Sequence, residues 1–344
     1  MKSKRVILSL LSLIIVLGLV ACSENNNDDT NGDQKVETKV MKIGTGISPN
    51  HFLYEAMEMF KEHVETNTEG QIKVELYHSG QLGDDVELLN AIKLGTATGT
   101  FPSDAKMGNI VKEFNLLSLP FIIPNDDVAN KIATGSWGQE LLKKLEPAGY
   151  KGLGLAHYGF RQLTNNIRSV ESVEDFKGLK LRTMESATHL DVFRALGANP
   201  TPMAWGEVYT SLQQGVLDGQ ENPTSTIYSN KIQEVQKYLS LTGHVYTFLP
   251  FVISKDFFDN LTEEQQKIVQ EAGDIAIEHT RESVVEDNEA AIAKLEEAGM
   301  IINDVDDETK KEMYEKVKPV LDKYGKEGNG QFYQELLDEV AKYF

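Results

Sequence analysis

Two arginines in this sequence stand at the ends of apolar strands. Arg182 ends the segment "LKLR", and Arg161 follows an apolar run at the start of "RQLTNN". In doubly wound α/β sheets, ligands bind outside the carboxyl ends of strands. A guanidinium group stays charged and pairs with a carboxylate through two parallel hydrogen bonds. The two positions therefore indicate a site for a small organic anion, with a structural salt bridge as the alternative for each.

A side-chain amide follows a third predicted strand. Asn222 lies in "GQENP", directly before Pro223. Its amide could brace a carboxylate or a hydroxyl group of the same ligand. The alternative is that Asn222 is only a turn residue before the proline.

No catalytic or cofactor motif accompanies these residues in the sequence. The seven histidines have no metal-ligand spacing such as His-Glu-x-x-His, and there is no Gly-x-Ser-x-Gly elbow. The pair Gly152 and Gly154 lacks the third glycine of a dinucleotide fingerprint, and residues 95–101 lack the lysine of a phosphate loop. The sequence therefore predicts a binding protein with no catalytic residue, no metal and no cofactor.

The composition of the chain limits its possible fold and binding partners. The chain has 344 residues, 40% of them hydrophobic, and a formal net charge of -19. This length accommodates two domains with sizeable cores, and the hydrophobic content excludes global disorder. Nucleic acids require clusters of Lys and Arg, so a chain this acidic is not expected to bind them.

The N-terminus has the organisation of a signal peptide. A basic segment, residues 1–5, precedes an apolar segment, residues 6–20, that is short for a membrane span. The following "LVAC" resembles a bacterial lipobox, which implies cleavage after residue 21 and attachment of lipid to Cys22. The alternative is a secretory signal with a chance cysteine. Because Cys22 is the only cysteine, no disulfide is expected.

The segment after the signal is predicted to be a polar tether, residues 22–39, because Asn, Asp and Glu dominate it. A folded body would then begin at residue 40. The lipid would hold this body at the outer face of the cytoplasmic membrane.

The folded body alternates strand and helix patterns. Strands are predicted at 39–46 and 71–78, and a helix at 84–94 that Gly95 ends. Another helix is predicted at 51–68, with apolar residues at helical spacing: Phe52, Ala56, Met59, Phe60 and Val64. This alternation predicts an α/β fold with a largely parallel sheet.

The second half of the chain shows the same alternation of strands and helices. Two helices are predicted there, and they end at Gly197 and Gly215. The segments "AIKLGTATGTF" and "SLQQGVLDGQE" share a helix end, a glycine, three residues and a second glycine. This repeated pattern is consistent with two similar α/β domains that face each other. The alternative is that the similarity of the two segments is due to chance.

Residues 262–297 contain no proline and one glycine, Gly273. At about 1.5 Å per residue a helix of this length spans about 50 Å, more than the width of one domain. The segment is predicted to be one helix that joins two domains, or else two helices in series.

Several of these segments together resemble the solute receptors of TRAP transporters, the DctP family. The resemblance is carried by "GFRQLTNN", "EDFKGLKLR" and "LGANPTPMAWGEVYTSLQQGVLDGQENP", and by the earlier "GQLGDDVELLNAIKLG" and "LLSLPFII". It extends over nearly the whole chain from residue 40 to residue 344.

The resemblance implies a two-domain clamshell, like the periplasmic binding proteins, with hinge strands and a long helix that spans both domains. We place the first domain at 40–158 with about 249–288, the second at 159–248 with about 289–320, and a C-terminal helical segment at 321–344. The implied role is an extracytoplasmic receptor that delivers an organic acid to membrane permease subunits, not an enzyme.

The resemblance also implies roles for single residues. The arginine matching Arg182 pairs with the ligand carboxylate, the one matching Arg161 supports the same anion, and the asparagine matching Asn222 caps the site. Asp84 and His244 match positions that line the cleft in relatives. These five residues are candidates for ligand contact.

Three departures from the sialic-acid receptors argue against sialic acid as the ligand. Trp205 stands where those receptors have Phe, Glu185 where they have Asn, and Pro102 where they have a ligand-facing Glu. A C4-dicarboxylate or a sugar acid then stays as the expected ligand. Glu185 would repel a second carboxylate but could accept sugar hydroxyls, and Trp205 could stack on the ligand or pack in the core.

Two other functions stay open at this point. The chain could be a lipoprotein that senses a ligand and presents its bound state to a membrane sensor. It could also be a secreted enzyme such as an isomerase or a lyase, although no acid–base pair or metal cluster supports that class.

Overall fold

The computed structural model describes residues 38–327 and 329–343. The predicted signal peptide, Cys22 and the predicted tether up to residue 37 lie outside the described residues. The described strands are β1 (Lys39–Gly44), β2 (Ile72–Tyr77), β3 (Gly99–Thr100), β4 (Tyr150–Phe160), β5 (Gln162–Asn165), β6 (Lys180–Thr183), β7 (Asn199–Pro202), β8 (Gly219–Asn222), β9 (Tyr238–Leu241), β10 (Tyr246–Ser254) and β11 (Ile301–Asp304). The described α-helices are α1 (Phe52–Asn67), α2 (Asp85–Lys93), α3 (Asp104–Met107), α4 (Asp126–Thr134), α5 (Ser136–Lys143), α6 (Ala187–Ala195), α7 (Trp205–Gln213), α8 (Thr224–Ser229), α9 (Lys255–Asp259), α10 (Glu263–Glu297), α11 (Asp307–Glu327) and α12 (Gly330–Ala341).

The strands form two mixed sheets. The first has the order β2-β1-β3-β10-β4 and the second the order β11-β9-β5-β8-β6-β7. The α/β class is confirmed, but the expectation of a largely parallel sheet is wrong. The antiparallel pairs are β10 with β3 and β4, and β5 with β8 and β9. All of them involve β5 or β10, the strands with which the chain enters one sheet directly from the other.

These crossings define two lobes. We call the first sheet with α1, α2 and α3 the first lobe, and the second sheet with α6, α7 and α8 the second lobe. The chain leaves the first lobe at Arg161, between β4 and β5, and returns through residues 242–245, between β9 and β10. The backbone N–H of Arg161 donates to the Val245 carbonyl at 2.8 Å, so the two crossing segments are bonded to each other.

The structure confirms that the similar segments 91–101 and 211–221 both contain a helix end. Gly95 follows α2 with φ 72°, and Gly215 follows α7 with φ 69°, a left-handed conformation that glycine adopts without strain. The second glycine of each segment, Gly99 and Gly219, lies in an interior strand of its sheet, β3 and β8 respectively. The repeated pattern therefore marks equivalent helix-to-strand turns in the two lobes.

The helix α1 differs in one detail from its prediction. Its N-terminus is capped by His51, whose Nδ1 accepts a hydrogen bond from the Leu53 N–H at 3.1 Å. Met59 is 39% exposed, whereas Met57 is fully buried. The buried face is wide enough to include neighbouring residues, so 3.6-residue spacing alone assigned Met59 to the wrong side.

Residues 263–297 form one continuous helix, α10, of 35 residues. A capping box starts it, because Thr262 and Gln265 each bond the backbone N–H of the other. The helix packs against α1 and β4 on the first lobe and against α8 on the second. The prediction of a single helix that joins both halves is confirmed.

The C-terminal helices contact several parts of the fold. Helix α11 packs against α6, and α12 packs against α4 and α5. Trp137 of α5 stacks on Phe332 of α12, with ring centroids 4.6 Å apart. The domain boundaries given above stay a prediction, since packing contacts alone do not define independent folding units.

Candidate ligand-binding cleft

A cleft of about 520 Å³ lies between the two lobes. This volume is within the range of roughly 300–1,000 Å³ that is typical of small-molecule sites. The first lobe lines the cleft with the loops after β1, β2 and β3 and with the first turns of α2 and α3. The second lobe contributes residues of β6, β8 and the start of α7, and the crossing strands β4 and β10 contribute Tyr158 and Leu249.

Arg161 lines the cleft at the crossing between the lobes and is balanced by a carboxylate of the protein. Its Nε and Nη2 donate to the carboxylate of Glu221, with 3.0 Å between Nη2 and Oε1. Both side chains are almost completely buried, 1% and 0% exposed. Burial acts to raise the pKa of Glu221, but Arg161, His244 and His189 together outweigh it and hold that pKa below its ordinary value.

Arg182 lies in β6 and is equally buried, 2% exposed, yet it is held differently. Its Nε and Nη2 donate to the Met203 carbonyl at 3.0 and 2.8 Å. Among the described residues no carboxylate oxygen lies within 4.0 Å of its guanidinium nitrogens. Burial lowers the pKa of Arg182 to about 10, so the group is still charged at neutral pH. The hydrogen-bond acceptor for this buried charge is thus a backbone carbonyl and not a carboxylate.

Asn222, at the end of β8, also lines the cleft. Its Oδ1 accepts from Nη2 of Arg161 at 2.9 Å, and its Nδ2 donates to Gln220 Oε1 at 2.6 Å. These two bonds fix the orientation of the amide next to Arg161.

Trp205 and Asp84 line opposite sides of the cleft. Trp205 begins α7, and its ring lies 5.5 Å from the guanidinium carbon of Arg182, a cation–π distance. Asp84 caps α2, because its Oδ1 accepts from the backbone N–H groups of Val86 and Glu87 at 2.9 and 3.1 Å. Asp84 therefore fixes the N-terminus of α2 at the wall of the cleft.

Glu185 and His244 do not line the cleft. Glu185 follows β6, and its Oε2 lies 3.4 Å from Nζ of Lys106. His244 lies behind the Arg161 pair, with its Nε2 3.3 Å from Oε2 of Glu221. Glu185 therefore contacts the cleft-lining residue Lys106, and His244 contacts Glu221, the partner of the cleft-lining Arg161.

Sequence reasoning missed Glu221 and Lys106. Glu221 stands in the middle of the fully buried strand β8, which is the same signal that marked Arg182. Lys106 is 3% exposed and lines the cleft from α3. Helix α3 has only 4 residues, too few for a periodic pattern, so the sequence carried no signal for burial of this lysine.

Acidic groups outnumber basic groups on the cleft surface. The basic lining residues are Lys106, Arg161 and Arg182, and the acidic ones are Asp84, Asp85, Glu87 and Glu207.

Within residues 38–327 and 329–343, no cluster of His, Cys, Asp and Glu could hold a metal ion. In the same part of the chain, no helix has the length and apolar character of a membrane span.

Comparison with known proteins identifies the family. Residues 43–327 match the family of bacterial extracellular solute-binding proteins, family 7, also named DctP. A solute-binding protein of Verminephrobacter eiseniae is 39% identical over 77% of this chain and 79% of its own length. The C4-dicarboxylate-binding periplasmic protein DctP of Rhodobacter capsulatus is 34% identical over 76% of this chain and 79% of its own length.

A solved structure shows the same fold. The sugar acid binding protein DctPAm of Advenella mimigardefordensis, crystallised with galactonate, aligns with a TM-score of 0.87 at 33% identity. The alignment covers 89% of this chain and 99% of that protein. With its two mixed sheets, its long joining helix and its cleft between the lobes, this chain belongs to the DctP family of TRAP-transporter solute-binding proteins.

Proposed function

We propose that this chain is a lipid-anchored, extracytoplasmic receptor that binds a small organic acid through Arg182 and delivers it to a TRAP permease. The observation that carries the proposal is the state of Arg182. A buried charge is costly unless it is paired, and Arg182 is buried with no carboxylate oxygen within 4.0 Å among the described residues. A ligand carboxylate would supply the missing negative charge.

The neighbours of Arg182 support a binding role rather than catalysis. Arg161, already paired with Glu221, would add hydrogen-bonding capacity beside the ligand and little net charge. Asn222 would cap the anion from a fixed orientation. Of the relatives compared above, one is named for C4-dicarboxylate binding and one for sugar acid binding, and we propose a ligand from these two classes for this chain.

A thermal-shift panel tests the ligand class. The full chain without its signal peptide is heated with C4-dicarboxylates, sugar acids, neutral sugars and amino acids. A true ligand at about 100 times its Kd stabilises the folded state by about 2.7 kcal/mol, so at least one organic acid should raise the Tm in a concentration-dependent way. A rise with neutral sugars or amino acids alone would contradict the proposal.

Anchoring through Cys22 is tested by cell fractionation. Wild-type protein should partition with membranes, and Cys22→Ser should release soluble protein with unchanged ligand affinity. Retention of the serine variant on the membrane would contradict lipid anchoring.

Delivery to the permease is tested by co-purification of the receptor with a neighbouring permease in detergent. The ligand should strengthen this association.

A further inference from the structure

The basic groups of the cleft differ in whether the protein already balances their charge. Arg161 is paired with Glu221. Lys106 has two carboxylates nearby, since its Nζ lies 3.4 Å from Glu185 Oε2 and 3.8 Å from Asp85 Oδ2. Arg182 therefore stands as the one lining cation, within the described residues, that has no carboxylate within 4.0 Å.

The cluster around Lys106 is built by both lobes. Lys106 and Asp85 belong to α3 and α2 of the first lobe, whereas Glu185 follows β6 of the second lobe. The Lys106 side chain is 2% exposed, so it cannot turn outward to solvent to escape the carboxylates. Asn109 donates to the Glu185 carbonyl at 2.8 Å, which fixes the second-lobe residue across the gap.

Carboxylates in the cleft lining supply hydrogen-bond acceptors beside Lys106. Asp85 Oδ2 accepts from the Ser103 N–H at 3.2 Å, and its Oδ1 has no hydrogen-bond partner among residues 38–327 and 329–343. Glu87 and Glu207 add two further carboxylates to the lining. Ionised carboxylates can only accept, so a ligand must offer donors to them, and hydroxyl groups are donors that leave its single negative charge unchanged.

We infer that Asp85 and Glu185, by neutralising Lys106, restrict the cleft to acids with one carboxylate and select a ligand whose remaining length carries hydroxyl groups. This inference rests on the proposed function and makes it narrower. One carboxylate of the ligand pairs with Arg182. Its hydroxyls donate to Asp85 and to the other acidic lining residues.

A second carboxylate on the ligand would meet like charge. It would have to displace Asp85 or Glu185 from Lys106, or else lie beside the uncompensated acids of the lining. Like charges placed together across an interface cost several kcal/mol, which is enough to exclude the wrong partner. The cleft therefore discriminates against C4-dicarboxylates and aldaric acids and favours aldonic and uronic acids.

Calorimetric titration of matched acids tests this inference. The probes are D-galactonate, D-gluconate, D-galacturonate and D-glucuronate, their dicarboxylate counterparts galactarate and D-glucarate, and succinate. An aldonate and its aldarate differ only in the oxidation of one terminal carbon, so their comparison isolates the second charge. The tightest monocarboxylate should bind at least roughly 100-fold more tightly than its dicarboxylate counterpart and than succinate.

Two isosteric variants assign the selectivity to the cluster. Asp85→Asn and Glu185→Gln should each reduce the preference for the monocarboxylate by roughly 10-fold or more, because each frees part of the Lys106 charge. Asp127→Asn is the control, since it removes the same charge from the first turn of α4 outside the cleft lining, and it should leave the preference unchanged.

The outcomes separate this inference from the proposed function. Equal or tighter binding of succinate or an aldarate would overturn the inference while the receptor role stands. Unchanged selectivity in both cluster variants would also overturn it. Failure of every organic acid to bind would overturn the proposed function, and the inference with it.

Discussion

Arg161 and Glu221 form a buried ion pair at the point where the chain crosses from one lobe to the other. Arg182, in strand β6 next to β8 of Glu221, is also buried, but among the described residues no carboxylate oxygen lies within 4.0 Å of its guanidinium nitrogens. The two buried arginines, which the sequence alone did not distinguish, therefore differ in whether a carboxylate of the protein contacts them.

Arg182→Ala should abolish most of the affinity for the organic acid. Truncation of one partner of a buried charged pair costs about 2–5 kcal/mol, which corresponds to a roughly 30- to several-thousand-fold rise in Kd. Arg182→Lys should recover only part of the loss, because it keeps the charge but not the planar fork. Isothermal calorimetry on folded variants gives the numbers.

The control for this series is Arg194→Ala. The Arg194 side chain is 60% exposed and lies outside the cleft lining, so its loss should not change the Kd. A change under about threefold for folded Arg182→Ala would remove Arg182 from the site.

Glu221→Gln should destabilise the protein even without ligand. The variant leaves the Arg161 guanidinium buried without a balancing charge, and breaking a buried pair costs about 3–5 kcal/mol. Glu271→Gln, on the exposed face of α10 with 48% of its side chain accessible, should change stability by less than about 0.5 kcal/mol. Urea denaturation of both variants measures the difference, and equal midpoints would contradict a structural role for the pair.

Asp104 should make stability depend on pH. It is completely buried between α3 and β10, where its Oδ2 accepts from the Phe248 N–H at 3.1 Å, and burial raises its pKa to about 7. An acid with a raised folded pKa contributes stability that is full below its unfolded pKa and lost as pH rises through the folded value. The contribution of Asp104 should therefore decline from about pH 4 to about pH 7.

The comparison with Asp104→Asn isolates this effect. The amide carries no charge at any pH, and its lost acceptor adds an offset that does not depend on pH. The stability of wild type relative to the variant should fall by on the order of 3 kcal/mol between pH 5 and pH 8, with a slope of about 1.36 kcal/mol per pH unit that levels off above the folded pKa. Parallel stability curves for the two proteins would show that Asp104 does not titrate in this range.

Gly219→Ala should disturb the site through the backbone. A Cβ at this position would lie 2.1 Å from the Thr164 carbonyl oxygen, so β5 and β8 would have to separate. Overpacking of this kind costs about 1–3 kcal/mol, and the shift would also displace Glu221 and Asn222 on the same strand. Thermal unfolding and ligand titration should both show a loss.

Gly206→Ala is the matched control for that substitution. Gly206 lies in α7, and an added Cβ meets nothing within 4 Å. Because Gly206 lines the cleft, it is a control for thermal unfolding only, where this change should be neutral or stabilise the helix by up to about 1 kcal/mol. Equal effects of the two substitutions would refute the steric argument.

Local chemistry made much of the architecture predictable. The glycines after α2 and α7 marked helix ends because a left-handed residue is favourable for glycine and costly for others. The absence of proline and the single glycine between residues 262 and 297 predicted one continuous helix, with two helices in series as the alternative. The direction of β5 and β10 was not predictable, because strand polarity depends on where the chain crosses between sheets and not on any local pattern.

The sequence by itself determined that this chain alternates strands and helices, carries a long joining helix, and holds arginines at strand ends suited to an organic anion. The tertiary structure alone decided which arginine keeps its charge available. Glu221 is 60 residues from Arg161 along the chain, and Glu185 is 79 residues from Lys106, so no spacing rule could pair them. Charge balance in a cleft is a sum over groups brought together by the crossing of the two lobes, and it exists only once the chain has folded.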